Sequence, residues 1–302
     1  MSKRILLLSA LTWIILFPSC GNAVQTGTGQ KKPAVVILTA GQSNTDGRVN
    51  NTELPEYIRR AGYTFCHWSY GSGTRSGHGE FTLFHPWIDG LSEHDKWAYD
   101  AVVYYRLEHL LKEKFYVIKE SLGGTSIDTL CTSRYEMHWS ADPAWLSRTA
   151  ATDQGGKSLL KALTDNIGAC IDKELSRLPE GYDIKVLLWH QGESDISRAE
   201  RYYDNLKTLI AYVRRYLVEK TGNPKYAGLP VVCGTFAEQG RGYSPEIVEA
   251  MHRIAREDRN FYVVDAGDAT LQSDNIHFDS KGAELLGNRV YETLIENRLI
   301  ED

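Results

Sequence analysis

The segment "AVVILTAGQSN", residues 34–44, is an apolar run that stops abruptly at four small or polar residues. Its aliphatic and β-branched residues are typical of a buried strand. Gly41, Gln42, Ser43 and Asn44 then mark the turn that follows this strand. By itself the turn gives Ser43 no special role, because serine is common in turns and at helix N-caps. The alternative is that Ser43 performs chemistry, and that depends on the rest of the chain.

Four further apolar runs resemble the first and also predict buried strands: "FYVIKE" (115–120), "IKVLLWH" (184–190), "PVVCGT" (230–235) and "FYVVDA" (261–266). Between and after these runs, apolar residues recur at the three- and four-residue spacing of helices, at 96–114, 157–178, 198–220, 244–257 and 280–299. Alternating strands and helices favour an α/β fold, with a five-stranded parallel sheet covered by helices on both faces. One domain over residues 33–302 accommodates all of these elements.

Two long stretches, residues 47–95 and 125–155, interrupt the alternation of strands and helices. Both contain several aromatic residues and are rich in glycine, serine or histidine. Loops of this length inside a compact domain are usually functional or disordered, and the aromatic content argues against disorder. Ligands of parallel sheets bind beyond the carboxyl ends of the strands, where these stretches begin. We therefore expect them to form the walls of a substrate cleft.

Polar clusters follow four of the predicted strands. Ser43 follows the first strand, and the glycines Gly123 and Gly124 follow the second. Gln191 and Glu193 follow the third strand, and Asp274 and His277 follow the fifth. Because the carboxyl ends of parallel strands share one edge of the sheet, these clusters are predicted to converge.

The converging residue types fit nucleophilic catalysis. A serine hydroxyl needs a neighbouring base, and the base needs an orienting partner. The three-residue spacing of Asp274 and His277 lets the carboxylate hold one ring nitrogen while the other faces Ser43. The backbone N–H near Ser43, an N–H of Gly123 or Gly124 and the amide of Gln191 are the available donors for an oxyanion. Taken singly, each cluster also has a structural explanation as a loop, a brace or a surface residue.

The blocks "GQSN", "WHQGESD" and "DNIHFDSKGAELLG", with the glycine after the second strand, resemble the sequence blocks of the SGNH/GDSL hydrolases. They are most similar to the carbohydrate esterase branch that includes sialate O-acetylesterases and some acetylxylan esterases. This resemblance implies a flavodoxin-like three-layer α/β/α fold and ester hydrolysis without a metal. It also implies O-acetyl groups on glycans as the substrate.

The resemblance also implies a role for each matching residue. Ser43 becomes the nucleophile, His277 the general base, and Asp274 the residue that orients His277. Gly124 and Gln191 join the backbone N–H of Ser43 in the oxyanion hole, with Gly123 as the rival glycine. Gln42, Asn44 and Glu193 are expected to support the Ser43 turn, and Glu193 has the further option of assisting the base.

Substrate contacts are expected from the long loops and from Arg48. The tryptophans of the two loops are suited to stacking on sugar faces, with Trp68 and Trp139 as the main candidates beside Trp87 and Trp145. Their alternative role is to pin the loops to the core. Arg48 is placed to meet a carboxylate such as that of sialic acid, or to bond nearby backbone. The sugar stays open between sialic acid and xylose, and a non-catalytic glycan-binding lipoprotein is the alternative from another class.

Composition and motifs exclude several other classes of function. The formal net charge is −5 and no basic stripe occurs, which disfavours a nucleic-acid partner. The sequence contains no G-x-S-x-G elbow, no G-x-G-x-x-G and no Walker A motif, so neither the common α/β-hydrolase fold nor a nucleotide cofactor is expected. Histidines 67, 78, 85 and 94 crowd one loop, where a metal site is the alternative, but their spacing matches no zinc pattern and favours packing or substrate contact. We therefore expect no metal and no cofactor.

The N-terminus has the features of an export signal. "MSKR" is basic and "ILLLSALTWIILF" is an apolar run too short for a membrane span. "FPSC" then places Cys20 where a bacterial lipoprotein would be lipidated, which predicts a signal peptide over residues 1–19 and a linker over 20–32. Ordinary cleavage after Ala23 is the alternative. Both interpretations predict an exported protein. A lipidated chain would be held in the bacterial periplasm or at the outer membrane, and a chain without the lipid would be secreted.

Four cysteines remain beyond Cys20: Cys66, Cys131, Cys170 and Cys233. Their irregular spacing disfavours a zinc knuckle. An exported compartment permits a disulfide between Cys66 and Cys131, but nothing in the sequence requires one.

Overall fold

A computed structural model describes residues 31–86 and 96–301 of the chain. From Lys32 onward the chain forms one compact unit. The predicted signal peptide, the lipidation of Cys20 and Trp87 lie outside the described residues. Within the described ranges, no helix combines the length and apolar character needed to cross a bilayer.

The described residues form nine strands and eight α-helices. The strands are β1 (Ala34–Gly41), β2 (Val49–Asn50), β3 (Cys66–Gly71), β4 (Thr82–Leu83), β5 (Lys96–Trp97), β6 (Phe115–Ser121), β7 (Tyr182–His190), β8 (Val231–Gly234) and β9 (Phe261–Val264). The helices are α1 (Ser43–Asp46), α2 (Glu56–Ala61), α3 (Tyr99–Leu111), α4 (Pro143–Leu146), α5 (Leu159–Lys173), α6 (Tyr202–Thr221), α7 (Pro245–Glu257) and α8 (Ser280–Glu296).

Seven of the strands form one mostly parallel sheet in the order β4-β3-β6-β1-β7-β8-β9. Only the β3–β4 pair is antiparallel. The five predicted strands are all present, and counted among themselves they have the doubly wound order 2-1-3-4-5. The predicted count of five is wrong, because β3 and β4 extend the sheet beyond β6. The stretch 47–95 is therefore in part a sheet edge and not only a loop.

Strand β1 lies at the centre of the sheet and is buried along its whole length. Its side chains alternate between two cores, with Val36 and Leu38 on one side and Val35 and Ile37 on the other. Residues of α5, α6 and α7 complete the first core, and residues of α3 and α8 complete the second. Helices therefore cover both faces, which explains why the strand sequences are apolar throughout and do not alternate.

Local signals fix where the helices that flank the site begin. The side chain of Ser244 accepts a hydrogen bond from the N–H of Ile247, with Pro245 in the first turn of α7. The side chain of Asp279 accepts one from the N–H of Gly282 and so starts α8. Because α8 begins there, the segment just before it, which contains His277, is fixed at the end of the sheet.

The described cysteines Cys66, Cys131, Cys170 and Cys233 are all buried free thiols. The bridge between Cys66 and Cys131 that export would permit is not present in this structure. Burial raises the pKa of the Cys170 thiol to about 12, so this group is a packing residue and not a reactive thiolate.

Candidate active site

The Ser43 turn is held against the end of the neighbouring strand β7. The backbone N–H of Gln42 and the hydroxyl of Thr45 both donate to the carbonyl of His190, each at 3.1 Å. A Cβ atom at Gly41 would lie 2.1 Å from the same carbonyl oxygen, so only glycine fits at this close approach. The turn leads directly into α1, and Ser43 itself is buried, with 3% of its surface exposed.

The two glycines after β6 have different environments. A Cβ at Gly123 would lie 3.1 Å from Cβ of Ser43 and 1.9 Å from Nη2 of Arg48. Gly124 is exposed, has a left-handed φ of +75°, and would have room for a Cβ. Gly123 is therefore the glycine in contact with Ser43, whereas Gly124 turns the chain into the following loop. The assignment of Gly124 as an oxyanion donor stays a prediction, and the contact favours its rival.

Asp274 and His277 form the pair that their spacing predicted. Oδ2 of Asp274 lies 2.6 Å from Nδ1 of His277, and Oδ1 accepts the backbone N–H groups of Ile276 and His277 at 3.0 Å. Burial opposes ionisation of Asp274, but these N–H groups and the His277 ring hold its pKa below the ordinary value. The carboxylate therefore stays charged and fixes Nδ1 of His277 as its partner, which leaves Nε2 for a substrate or nucleophile.

Asn44 joins the Ser43 turn to the segment that carries His277. Its Oδ1 accepts the backbone N–H of Phe278 at 3.1 Å, and its Nδ2 lies 3.4 Å from the carbonyl of Ile276. Nδ2 also donates to Oε1 of Glu193 at 3.0 Å. The side chain after Ser43 thus holds the backbone on both sides of His277, and Glu193 orients that side chain.

Gln191 is fully buried and braces three loops. Its Nε2 donates to Oε1 of Gln42 at 3.1 Å, to the carbonyl of Thr125 at 2.9 Å and to Oδ2 of Asp195 at 2.6 Å. Both amide hydrogens are thereby used within the protein. The predicted role of Gln191 in the oxyanion hole would require it to release one of these bonds, and its observed contacts fit the alternative role of a brace.

Asp195 is a supporting residue that the sequence reasoning did not single out, although it closes the "WHQGESD" block. Its carboxylate accepts the backbone N–H groups of Ile127 and Asp128 at 2.9–3.1 Å. Burial raises the pKa of Asp195 to about 6 despite these bonds. Asp195 therefore holds the start of the long loop after β6 to the end of β7.

Arg48 reaches the site as part of a polar network. Its Nη1 donates to Oδ2 of Asp46 at 2.9 Å. Its Nη2 lies against Gly123, only 1.9 Å from where a Cβ atom of that residue would be. Oδ1 of Asp46 in turn accepts from the hydroxyls of Tyr70 and Ser121 at 2.9 and 3.2 Å. The guanidinium is therefore fixed beside Gly123, with 18% of the side chain exposed.

The two tryptophans predicted to contact the substrate differ in burial. Trp139 is fully buried, where its Nε1 donates to the hydroxyl of Thr125 and its ring packs edge-on against Trp189. Trp68 is stacked on Tyr70 with ring centroids 4.7 Å apart, in the middle of β3. The prediction for Trp139 is wrong, because its ring is enclosed in the core, whereas Trp68 is half-buried and its contact with the substrate stays a prediction.

The structure thus brings the predicted polar clusters to one edge of the sheet, where β1 lies between β6 and β7. Over the part of the chain that the structure describes, the Ser43 hydroxyl makes no hydrogen bond, so Ser43 and His277 are joined through Asn44 and not directly. Nucleophile–base bonds are often long before substrate binds. Over those same residues, no three His, Cys, Asp or Glu side chains are grouped to hold a metal ion.

Comparison with known proteins shows first a shared fold and then a match of part of the chain to a family model. Among solved structures, the chain is similar to an Arabidopsis thaliana protein, At4g34215, with a TM-score of 0.61 and 19% identity over 88% of this chain and 99% of that one. It is also similar to NanS, with a TM-score of 0.60 and 15% identity over 89% and 99% of the two chains. Carbohydrate acetylesterase XAC1771 from Xanthomonas citri gives a TM-score of 0.56 at 14% identity, over 86% of this chain and 55% of that one. These likenesses show a shared α/β fold.

Sequence comparison adds two partial matches to carbohydrate esterases. Residues 150–296, just under half of the 302-residue chain, match the family model described as "SASA: Carbohydrate esterase, sialic acid-specific acetylesterase". The chain is also 32% identical over 120 residues to "Probable carbohydrate esterase At4g34215" of Arabidopsis thaliana. That alignment covers 39% of this chain and 42% of the relative, less than half of either. The family match includes Gln191, Glu193, Asp274 and His277, whereas Ser43 and the glycines lie before it.

Proposed function

We propose that this chain is an SGNH-type esterase that removes O-acetyl groups from carbohydrates, with sialic acid as the first candidate sugar. The observation that carries the proposal is the Asn44 link. This side chain joins the turn of Ser43 to the segment in which Asp274 and His277 are paired at 2.6 Å. A serine, a base and an orienting carboxylate are the groups that acyl transfer needs.

The proposed chemistry has two acyl-transfer steps. Oγ of Ser43 attacks the acetyl carbonyl carbon while Nε2 of His277 takes the hydroxyl proton, and Asp274 stabilises the charged ring. The tetrahedral intermediate collapses as His277 returns the proton to the sugar oxygen, which leaves as a hydroxyl. Water then attacks the acetyl–Ser43 ester with His277 again as base, and acetate and free Ser43 result.

The negative charge that develops on the acetyl oxygen needs donors that are already in place. The backbone N–H groups of Ser43 and of Gly123 or Gly124 are the candidates at this position. Gly123 is favoured by its contact with Ser43, with Cβ positions 3.1 Å apart. The Arg48 guanidinium beside Gly123 adds positive charge to the same corner of the site.

Two observations favour sialic acid over xylose. The matching family model is described as specific for sialic acid. Arg48 is fixed next to the Ser43 turn, where its guanidinium can pair with the carboxylate that sialic acid has and xylose lacks. Because Asp46 already neutralises part of its charge, Arg48 acts as a positioned donor and not as an isolated cation.

The substrate is tested by acetate release from 9-O-acetyl-N-acetylneuraminic acid and from acetylated xylo-oligosaccharides, with the purified chain and its Ser43→Ala variant. The proposal expects faster release from the sialic acid and almost none from the variant. Faster release from the xylo-oligosaccharides would instead make the chain an acetylxylan esterase. Binding of either sugar without release would make it a glycan-binding protein that lacks catalysis.

Export is a separate proposal that rests on residues 1–32 alone. The basic start, the apolar run and Cys20 support a lipid-anchored protein of the periplasm or outer membrane. Expression of the full chain with labelled palmitate tests this proposal. Label is expected on the wild-type chain and not on Cys20→Ser, whereas an unlabelled wild-type chain cleaved after Ala23 would overturn the lipid anchor.

A further inference from the structure

We propose that Arg134 and Tyr135 form a sugar-binding subsite at the rim of the active site, with the Tyr135 ring under the apolar face of the acetylated sugar. This inference rests on the proposed esterase function and assigns it a specificity-determining residue. Of the predicted aromatic contacts, Trp139 is fully buried and Trp68 is half-buried with its ring stacked on Tyr70, so neither presents a fully exposed ring to a sugar.

Backbone hydrogen bonding puts this pair beside Gly124, the second of the two glycines that follow β6. The N–H of Arg134 donates to the carbonyl of Gly124 at 2.8 Å. A Cβ at Gly124 would point at Cβ of Arg134, 3.6 Å away, so the Arg134 side chain begins on the open face of Gly124. Gly124 is exposed while Gly123 and Ser43 are buried. A sugar whose acetyl group reached Ser43 would therefore extend outward past Gly124 toward this pair.

The Tyr135 ring is both exposed and oriented. It is 60% exposed, which is unusual for a large aromatic side chain in a well-packed loop. The guanidinium of Arg134 lies 4.9 Å from the centre of the ring, and Nη2 donates to the Tyr135 hydroxyl at 3.2 Å. The pair thus offers an apolar ring face together with charged donors, which matches the C–H face and the oxygens of a sugar.

The backbone under Tyr135 is held in a conformation that costs free energy. Tyr135 and Glu136 have left-handed φ values of +55° and +57°, a region that residues other than glycine rarely adopt. Nζ of Lys157 donates to the Tyr135 carbonyl at 2.7 Å, and the N–H of Met137 donates to the Arg134 carbonyl at 3.0 Å. A strained aromatic residue that is held outward beside an active site is better explained by a ligand than by packing.

The test compares a sugar ester with an ester that has no ring. The sugar ester is 9-O-acetyl-N-acetylneuraminic acid, or the acetylated xylo-oligosaccharide if that is the better substrate. For Tyr135→Ala, KM for this ester is expected to rise about five- to tenfold with little change in kcat. Hydrolysis of ethyl acetate should stay within about twofold of wild type. Tyr135→Phe keeps the ring and should keep most of the affinity. Tyr57→Ala, which removes an exposed aromatic of α2, is the matched control and should change neither reaction.

The variant Tyr135→Gly distinguishes a role of the Tyr135 ring in sugar binding from a role in the stability of the fold. Glycine relieves the left-handed strain, so this variant is expected to have an unchanged or raised Tm and yet a raised KM for the sugar. Equal losses on the sugar ester and on ethyl acetate would overturn the subsite, as would an unchanged KM for the sugar. A wild-type chain that cleaves neither ester would instead contradict the proposed function itself.

Discussion

The side-chain oxygen of Asn44 accepts a hydrogen bond from the backbone N–H of Phe278 at 3.1 Å. These residues follow the proposed nucleophile Ser43 and the proposed base His277 respectively, although they are 234 positions apart in sequence. One side chain therefore sets the distance between two groups that come from opposite ends of the domain.

Replacement of Asn44 by alanine is expected to lower kcat by on the order of 10²-fold, because a displacement of about 1 Å between reacting groups has an effect of that size. The folded state should persist, since the substitution removes only a few hydrogen bonds of about 1 kcal/mol each. Steady-state kinetics and thermal unfolding measure both effects.

Asn288→Ala is the matched control for Asn44, because Asn288 also makes a side-chain bond between elements, to Arg106, but lies on α8 away from the site. It should retain full activity. A kcat for Asn44→Ala within twofold of wild type would show that His277 does not depend on this link.

The two glycines after β6 should respond differently to alanine. At Gly123 the added Cβ would lie 1.9 Å from Nη2 of Arg48 and 3.1 Å from Cβ of Ser43, so Gly123→Ala should reduce activity while the fold tolerates a shift of the Arg48 tip. At Gly124 the Cβ has room, but φ is +75°, so Gly124→Ala should lower the free energy of unfolding by about 1–2 kcal/mol.

Activity and urea unfolding of both variants distinguish these effects. The expected pattern is an activity loss that is larger for Gly123→Ala and a stability loss that is larger for Gly124→Ala. The reverse pattern would mean that Gly124 is the glycine in contact with the reacting groups.

Glu120 predicts a pH effect on stability. Its side chain is fully buried and, within residues 31–86 and 96–301, neither carboxylate oxygen has a hydrogen-bond partner. Burial, with Asp153 and Asp46 nearby, raises the pKa of Glu120 well above its ordinary value. The folded state thus keeps a proton that the unfolded chain releases above about pH 4.3.

The direction of this pH effect follows from the coupling between proton binding and folding. Above the unfolded pKa the folded state binds more protons, so the stability contributed by protonated Glu120 is lost as the pH rises toward the folded value. Glu120→Gln should remove this decline and leave the chain as stable as wild type or more stable near neutral pH. Urea unfolding from pH 5 to 8 measures the slope.

Glu108→Gln is the contrasting control, because the Glu108 carboxylate accepts the backbone N–H groups of Thr64, Phe65 and Cys66. It should destabilise the fold by about 1–3 kcal/mol. An unchanged pH slope in Glu120→Gln would mean that Glu120 is ionised in the folded protein.

The sequence predicted the strands of the central sheet because burial on both faces leaves a continuous apolar run, as in β1. Strand β3 escaped this reasoning. Its sequence "CHWSYG" is polar and aromatic, and only Cys66, Ser69 and Gly71 are buried. Its partners, β6 and the two-residue β4, are set by tertiary pairing that no local pattern records.

The convergence of the site could be predicted from topology alone, since strand ends must meet at one edge. The partners of individual side chains could not. The contacts of Gln191 with Thr125 and Asp195, and the burial of Trp139, depend on how a long loop folds back on the sheet. Long-range packing decides such contacts, and the local sequence around a tryptophan does not show whether its ring is buried or exposed.

The central claim is that Ser43 carries the acyl group during hydrolysis. The most direct measurement is to treat the chain with a phosphonate ester, which traps an activated serine covalently, and to locate the adduct by mass spectrometry beside assays of acetate release. We expect a single adduct on Ser43 and complete loss of acetate release. Ser43→Ala should give no adduct, and its rate of acetate release should fall by on the order of 10³-fold or more. Ser147→Ala, at an exposed serine, should match wild type. An adduct on another residue, or acetate release retained by Ser43→Ala, would contradict the account.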